Sequence, residues 1–179
     1  MLKYTGIGHR DTPERILVLL REIGAFLASN NCILRSGGAQ GADKAFEDGC
    51  NRAGGKKEIY LPCKGFNGNN SRLYRIAEDD AALAFAAKYH PHWESLKQNV
   101  KLLVGRNVYQ ILGQDLKTAS DFVICYSVRP SGMNVALLIS KKHNIDIYNL
   151  GDEKTWPAEK RREIFDVLAE KYQIGKGTK

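Results

Sequence analysis

Apolar positions along the 179-residue chain fall into two alternating kinds of run. The short ones, Leu2–Ile7, Cys32–Arg35, Glu58–Leu61, Asp121–Tyr126 and Ile145–Asn149, are apolar nearly throughout and have the length of a buried strand. The longer ones carry the three-to-four-residue spacing of an amphipathic helix. Alternation of this kind builds a parallel sheet, because parallel strands need crossover helices, and strands covered on both faces lose their polar positions. The expected fold class is α/β: a doubly wound, mainly parallel sheet in three layers.

The first helix has clear start chemistry, with Thr12 as cap, Pro13 in the first turn, and Ile16, Leu19, Leu20, Ile23 and Leu27 on one face. A second helix is expected from near Ala42 to Gly49. Residues 71–89 and 93–117 read as mostly helical, interrupted around His90–Pro91 and at Gly105 or Gly113. A further helix follows Gly132 and precedes the last strand. The stretch 157–172 closes the chain, with Ile164, Phe165, Leu168 and Tyr172 on its apolar face.

Length and composition fit one domain over residues 1–179, with a core of about 1–150 and the C-terminal helix behind it. No apolar run approaches the roughly 18 residues of a membrane span, and the first residues lack a signal-peptide pattern, so the expected location is cytoplasmic. Twenty-seven Lys and Arg against twenty Asp and Glu leave a net charge of +7. That balance favours polyanionic partners, nucleic acid above all, although an enzyme of phosphorylated substrates would share it. Part of the excess is terminal, at Lys171, Lys176 and Lys179. The cysteines 32, 50, 63 and 125 show no metal-ligand spacing; Cys32 and Cys125 sit in apolar runs as core residues, and only Cys63 stands where a reactive thiol would.

Candidate chemistry gathers where strands give way to helices. After the first strand comes Gly6-Ile7-Gly8-His9-Arg10, in which two glycines admit a close anion and Arg10 clamps a phosphate, or in which a tight turn simply carries a solvated arginine. After the second comes Ser36-Gly37-Gly38-Ala39-Gln40-Gly41-Ala42-Asp43. Its glycines make room for a phosphate, Ser36 offers a hydroxyl, and Asp43 either caps amides or meets a ribose or base. After the fourth comes Ser127–Asn134, where Ser131, Gly132 and Asn134 open a helix beside Arg129. Three such turns at one sheet edge point to a phosphate-bearing ligand, since open α/β sheets bind beyond the carboxyl ends of their strands.

These junctions resemble the DprA/Smf family, within the wider Rossmann-like DprA/LOG group. GHRDTP looks like that family's G-S-R-x-x-T turn, with His9 in place of the serine. SGGAQGADKAFEDG looks like its S-G-x-A-x-G-I-D-x-x-A-H-x-G signature, and departs from it at Lys44–Glu47. NNSRLYRIAEDDAAL and GRNVYQILGQDLKTASDFVICYSVRPSG are similar to two later blocks, so four motifs keep their order over about residues 4–150. The resemblance implies a Rossmann-like fold whose strand-end pocket grips phosphates of single-stranded DNA, with Arg10, Ser36, Gly37, Gly38, Gly41, Asp43, Arg106, Asn107, Ser131 and Gly132 at motif positions. It also implies a recombination accessory that helps load a recombinase, and a domain that often pairs as a homodimer. No cofactor and no metal are expected.

The competing classes are a binder or N-glycosidic hydrolase of a small nucleotide, and a sensor that sequesters a nucleotide-derived signal. The hydrolases of the LOG group use a glutamate in P-G-G-x-G-T-x-E-E. The matching residues 130–136 contain no carboxylate, which argues against this chemistry; a different acid, such as Asp43 or Asp79 and Asp80, would belong to an unrelated mechanism. Within CKGFNGNNS and just after it, Lys64, Phe66, Asn70 and Arg72, with Tyr60, Tyr74 and Arg75 nearby, combine aromatic faces with cations, as strand-binding surfaces do. His90-Pro91-His92-Trp93 reads as a loop over a buried Trp93, and Lys160–Arg162 as a solvated helix face.

Overall fold

The computed structural model describes residues 1–73, 81–129 and 134–175. Its strands are β1 (Lys3–Gly8), β2 (Ile33–Ser36), β3 (Lys57–Ile59), β4 (Phe122–Tyr126) and β5 (Asp146–Asn149). They form one five-stranded sheet in the order β3-β2-β1-β4-β5, and every pairing is parallel. Each lies within two residues of the run expected from the apolar pattern.

The crossovers are α1 (Glu14–Ser29), α2 (Ala42–Arg52), α3 (Ala81–Ala87), α4 (Gln98–Leu112) and α5 (Asn134–Lys142), followed by α6 (Ile164–Lys171). Side chains of α1, α2 and α6 pack with Tyr4, Leu34, Phe122 and Ile124 on one face of the sheet. Those of α3, α4 and α5 pack with Ile7, Val123 and Cys125 on the other. Alternate residues of β4 thus enter opposite cores, as a central strand in three layers requires. All five apolar positions named for α1 are buried.

Several local expectations are corrected. Thr12 does not cap α1: its hydroxyl donates to the carbonyl of His9 at 2.6 Å, and the helix starts without a side-chain cap. Helix α2 runs three residues beyond Gly49, because Gly49 lies inside it against α1 rather than at a terminus. Gly105 likewise does not interrupt α4; Leu83 occupies the space a side chain there would need, and the helix ends at Leu112 with Gly113 at φ 75°. Trp93 is half-buried rather than buried, with the Lys101 ammonium 5.5 Å from its ring. Arg161 is not solvated; its Nε donates to the Leu150 carbonyl at 2.8 Å, tying the short 3-10 turn at Ala158–Glu163 to the end of β5. Lys171 pairs with Asp146 at 2.9 Å, while Lys176 and Lys179 lie outside the described residues. Cys32, Cys50 and Cys125 are buried and Cys63 is exposed. Among the described residues no helix is long and apolar enough to cross a membrane.

Candidate functional site

Strand order reverses between β1 and β4, so the chain leaves the carboxyl ends of these neighbours in opposite directions and a crevice opens between them. Beside it, between the β1 and β2 turns and α4, lies a cavity of about 260 Å³. Gly8, His9 and Arg10 line one side; Val100, Leu103 and Val104 of α4 form an apolar wall; Asp43, Arg106, Asn107 and Gln110 supply the polar groups.

Asp43 is the hub of that polar set. Its carboxylate accepts from the Gly8 amide at 3.3 Å, from the Ala39 amide at 3.4 Å and from Arg106 Nη1 at 3.2 Å. One side chain near the start of α2 thereby ties together the β1 turn, the β2 turn and α4. Burial pushes the Asp43 carboxyl above the ordinary aspartate range, and Arg106 offsets only part of that. Of the two roles left open for Asp43, it takes amide contacts and adds an ion pair.

Arg106 is only 7% exposed; it lines the cavity and lies in this network. With the Gln110 side-chain amide oriented to satisfy both of its atoms, its oxygen accepts from Arg106 Nη1 at 2.9 Å and from the Gly37 amide at 2.6 Å, while its nitrogen donates to Asn107 Oδ1 at 3.0 Å. The Phe66 ring lies 5.9 Å from the guanidinium. Arg106 Nε is buried and has no acceptor among the described residues. Gly37 is required here: a Cβ at that position would fall 1.0 Å from Arg106 Nη1.

Other sequence-selected residues separate by environment. A Cβ on Gly8 would fall 2.5 Å from that of Ala42, and one on Gly6 would strike the Phe46 ring, so both let α2 lie close against β1. Ser36 is buried and donates to the Gly6 carbonyl at 2.7 Å. Gly38 and Gly41 turn the loop at φ 64° and 81°. The amides of Gly38, Gln40 and Gly41 have no acceptor among the described residues. Arg10 is exposed on the rim and makes no ion pair with any described residue. Arg129 pairs with Asp11 across the neighbouring strand ends. Lys64, Asn70 and Arg72 are exposed on the loop after β3, Phe66 is half-buried, and Tyr60 is buried with its hydroxyl on Glu58 at 2.9 Å. Ser131, Gly132, Tyr74, Arg75, Asp79 and Asp80 lie outside the described residues.

Two participants escaped the sequence reading. Gln110 stands four residues after Arg106 and three after Asn107, the spacing that places all three on one helix face, and that was its available signal. His9 is buried with Nε2 3.4 Å from Ser127 Oγ, a contact between the ends of β1 and β4 that no local spacing encodes. Among the described residues no group of three metal-ligating side chains comes together.

An all-parallel sheet in this order, covered on both faces and open at the β1–β4 crevice, defines a Rossmann-like three-layer α/β protein. Solved structures place it further. The chain is similar to DNA processing protein A from Helicobacter pylori, with a TM-score of 0.59 and 18% identity over 94% of this chain and 80% of that one. It is also similar to the Moco carrier protein of Chlamydomonas reinhardtii, with a TM-score of 0.54 and 19% identity over 93% of this chain and 85% of that one. A further structure of that molybdenum cofactor carrier gives 0.53 at 18% identity, covering 95% and 87%. The Helicobacter protein is described by its single-stranded DNA binding mode. No family model and no curated protein matches the chain. At these identities the likeness establishes a shared fold, the one the DprA resemblance implied.

Proposed function

We propose that the chain binds single-stranded DNA through its phosphates at the β1–β4 crevice, as a DprA-like recombination accessory. The observation that carries this reading is Arg10, an exposed guanidinium without an ion pair among the described residues, on the rim of a cavity at the switch point. A bidentate guanidinium suits phosphate, and the amides of the glycine turn that have no acceptor among the described residues add neutral donors nearby. Arg106 and Asp43 act behind this surface by holding the turns in place. Ser131 and Gly132 complete the phosphate-facing turns in this reading, while Lys64, Phe66, Asn70 and Arg72 extend the path for bases and backbone. The single-stranded DNA binding of the Helicobacter pylori protein, on the same fold, supports it. A recombinase partner, a homodimer and a cytoplasmic location belong to the same proposal, as does one domain spanning the chain.

A second reading, a carrier or binder of a small phosphorylated ligand, draws on the likeness to the molybdenum cofactor carrier and on the modest cavity of about 260 Å³. Titration with single-stranded DNA, duplex DNA and mononucleotides separates the two. The proposed function requires oligonucleotides to bind far more tightly than monomers; a preference for monomers would favour the second reading.

A further inference from the structure

We propose that the chain grips two consecutive nucleotide units of one strand, the second of them in a separate cavity between α2, β3 and the loop 65–71; this rests on the nucleic-acid reading above. That cavity encloses about 540 Å³, within the range of roughly 300–1,000 Å³ typical of small-ligand sites. Lys44 and Glu47 come from α2, Lys57 and Ile59 from β3, and Gln40 and Asn70 from the flanking loops. Ile59 is the one aliphatic side chain in this lining, so an apolar occupant would strip water from polar groups without replacing it.

The charges in the wall are sorted. Glu47 is 5% exposed, and its carboxylate accepts from Lys57 Nζ at 2.7 Å and from Asn69 Nδ2 at 3.1 Å to each oxygen. The single acid is therefore satisfied within the protein. Lys57 and Asn67 are exposed too but are bonded to Glu47 and to the Gly38 carbonyl, which leaves the Lys44 ammonium and the Gln40 and Asn70 amides. Among the described residues Lys44 pairs only with Asp48 one turn along α2, a surface contact worth little. An ammonium beside two amides suits a phosphodiester oxygen next to the polar edge of a sugar or base.

The wall is also already formed. Asn67 Nδ2 donates to the Gly38 carbonyl at 2.9 Å, Ser71 Oγ to the Ile59 carbonyl at 2.6 Å, and the Leu61 amide to the Leu73 carbonyl at 2.7 Å. A ligand entering it need not pay to order the loop. Gly38 lines this cavity and Ala39 lines the one at the switch point. The same turn thus walls both cavities, and a strand held by one phosphate at Arg10 passes over it into the second, whereas a mononucleotide fills only one.

Calorimetric titration of the full chain at low salt tests this, with thymidine 5′-monophosphate, a 5′-phosphorylated thymidine dinucleotide and a thymidine oligomer of about ten residues. The dinucleotide should bind at least about tenfold more tightly than the monophosphate. The variant Lys44→Gln, altered only at an exposed position, should lose most of that increment and keep the monophosphate affinity. Lys117→Gln makes the same change in charge at the opposite edge of the sheet, before β4, and should leave both affinities unchanged. Equal affinity for one and two units, or a Lys44→Gln protein that behaves as wild type, overturns the second subsite, and continued binding of the oligomer then leaves the broader reading standing. Absence of binding by all three overturns both.

Discussion

Asp43 and Arg106 depend on each other, whereas Arg10 makes no ion pair with any described residue, and substitutions should divide accordingly. Arg106→Ala leaves a buried carboxylate without its cation and Asp43→Asn leaves the guanidinium without its anion; either should cost about 3–5 kcal/mol in urea unfolding. Arg10→Ala should leave the unfolding midpoint where it is and weaken single-stranded DNA binding about tenfold or more, the value of a charge-assisted contact. A stable Arg106→Ala protein would show that the hub does not hold the turns. The thiols make a separate case: burial pushes Cys32 up to about 11 and Cys125 to about 12, and raises Cys50, while Cys63 is exposed. A thiol reagent at pH 8 should therefore modify one cysteine in the native chain and four after denaturation. At this scale the sequence disclosed residue types but not partners. Arg106 and Asp43 stand 63 positions apart, so no spacing could show that Arg106 faces this carboxylate.

The elements were largely legible because periodicity reports which faces are buried, and burial here is nearly complete on both sides of the sheet. What escaped depends on how elements meet. Gly8, expected in a phosphate turn, is also the point where α2 lies against β1; Gly8→Ala should overpack that contact and cost about 1–3 kcal/mol in a urea titration, independently of any ligand. Glu58 on β3 accepts from Lys3 on β1 and Arg35 on β2, both at 2.7 Å, and so ties three strands together. Burial works to raise its carboxyl, but the bonds from Lys3 and Arg35 outweigh it and hold the group below the ordinary glutamate value of 4.5. A carboxyl lowered in the folded state contributes stability above the unfolded value and loses it as pH falls through the folded one. Glu58→Gln should thus be less stable than wild type at neutral pH, with the gap closing below about pH 4.5 in urea unfolding at stepped pH. A gap that stays constant would mean the ionised form is not what binds the strands.

For the whole molecule, the net charge of +7 suggested a polyanion without saying where it sits. The fold distributes that charge: Arg35, Arg106 and Arg161 are buried in internal bonds, Lys171 pairs with Asp146, and Arg10, Lys64 and Arg72 stand exposed in the β1 and β3 turns. The sequence could not separate these groups, because exposure is decided by packing between segments far apart along the chain. If the exposed cations hold a strand, binding must release counterions in proportion to the phosphates they contact. The central claim is tested most directly by the affinity of the full chain for a thymidine oligomer measured across a salt series. The account predicts tight binding at low salt, a logarithmic slope of about −0.7 for each phosphate neutralised, and a shallower slope for Arg10→Ala. A flat salt dependence, or an Arg10→Ala slope equal to that of wild type, would contradict it.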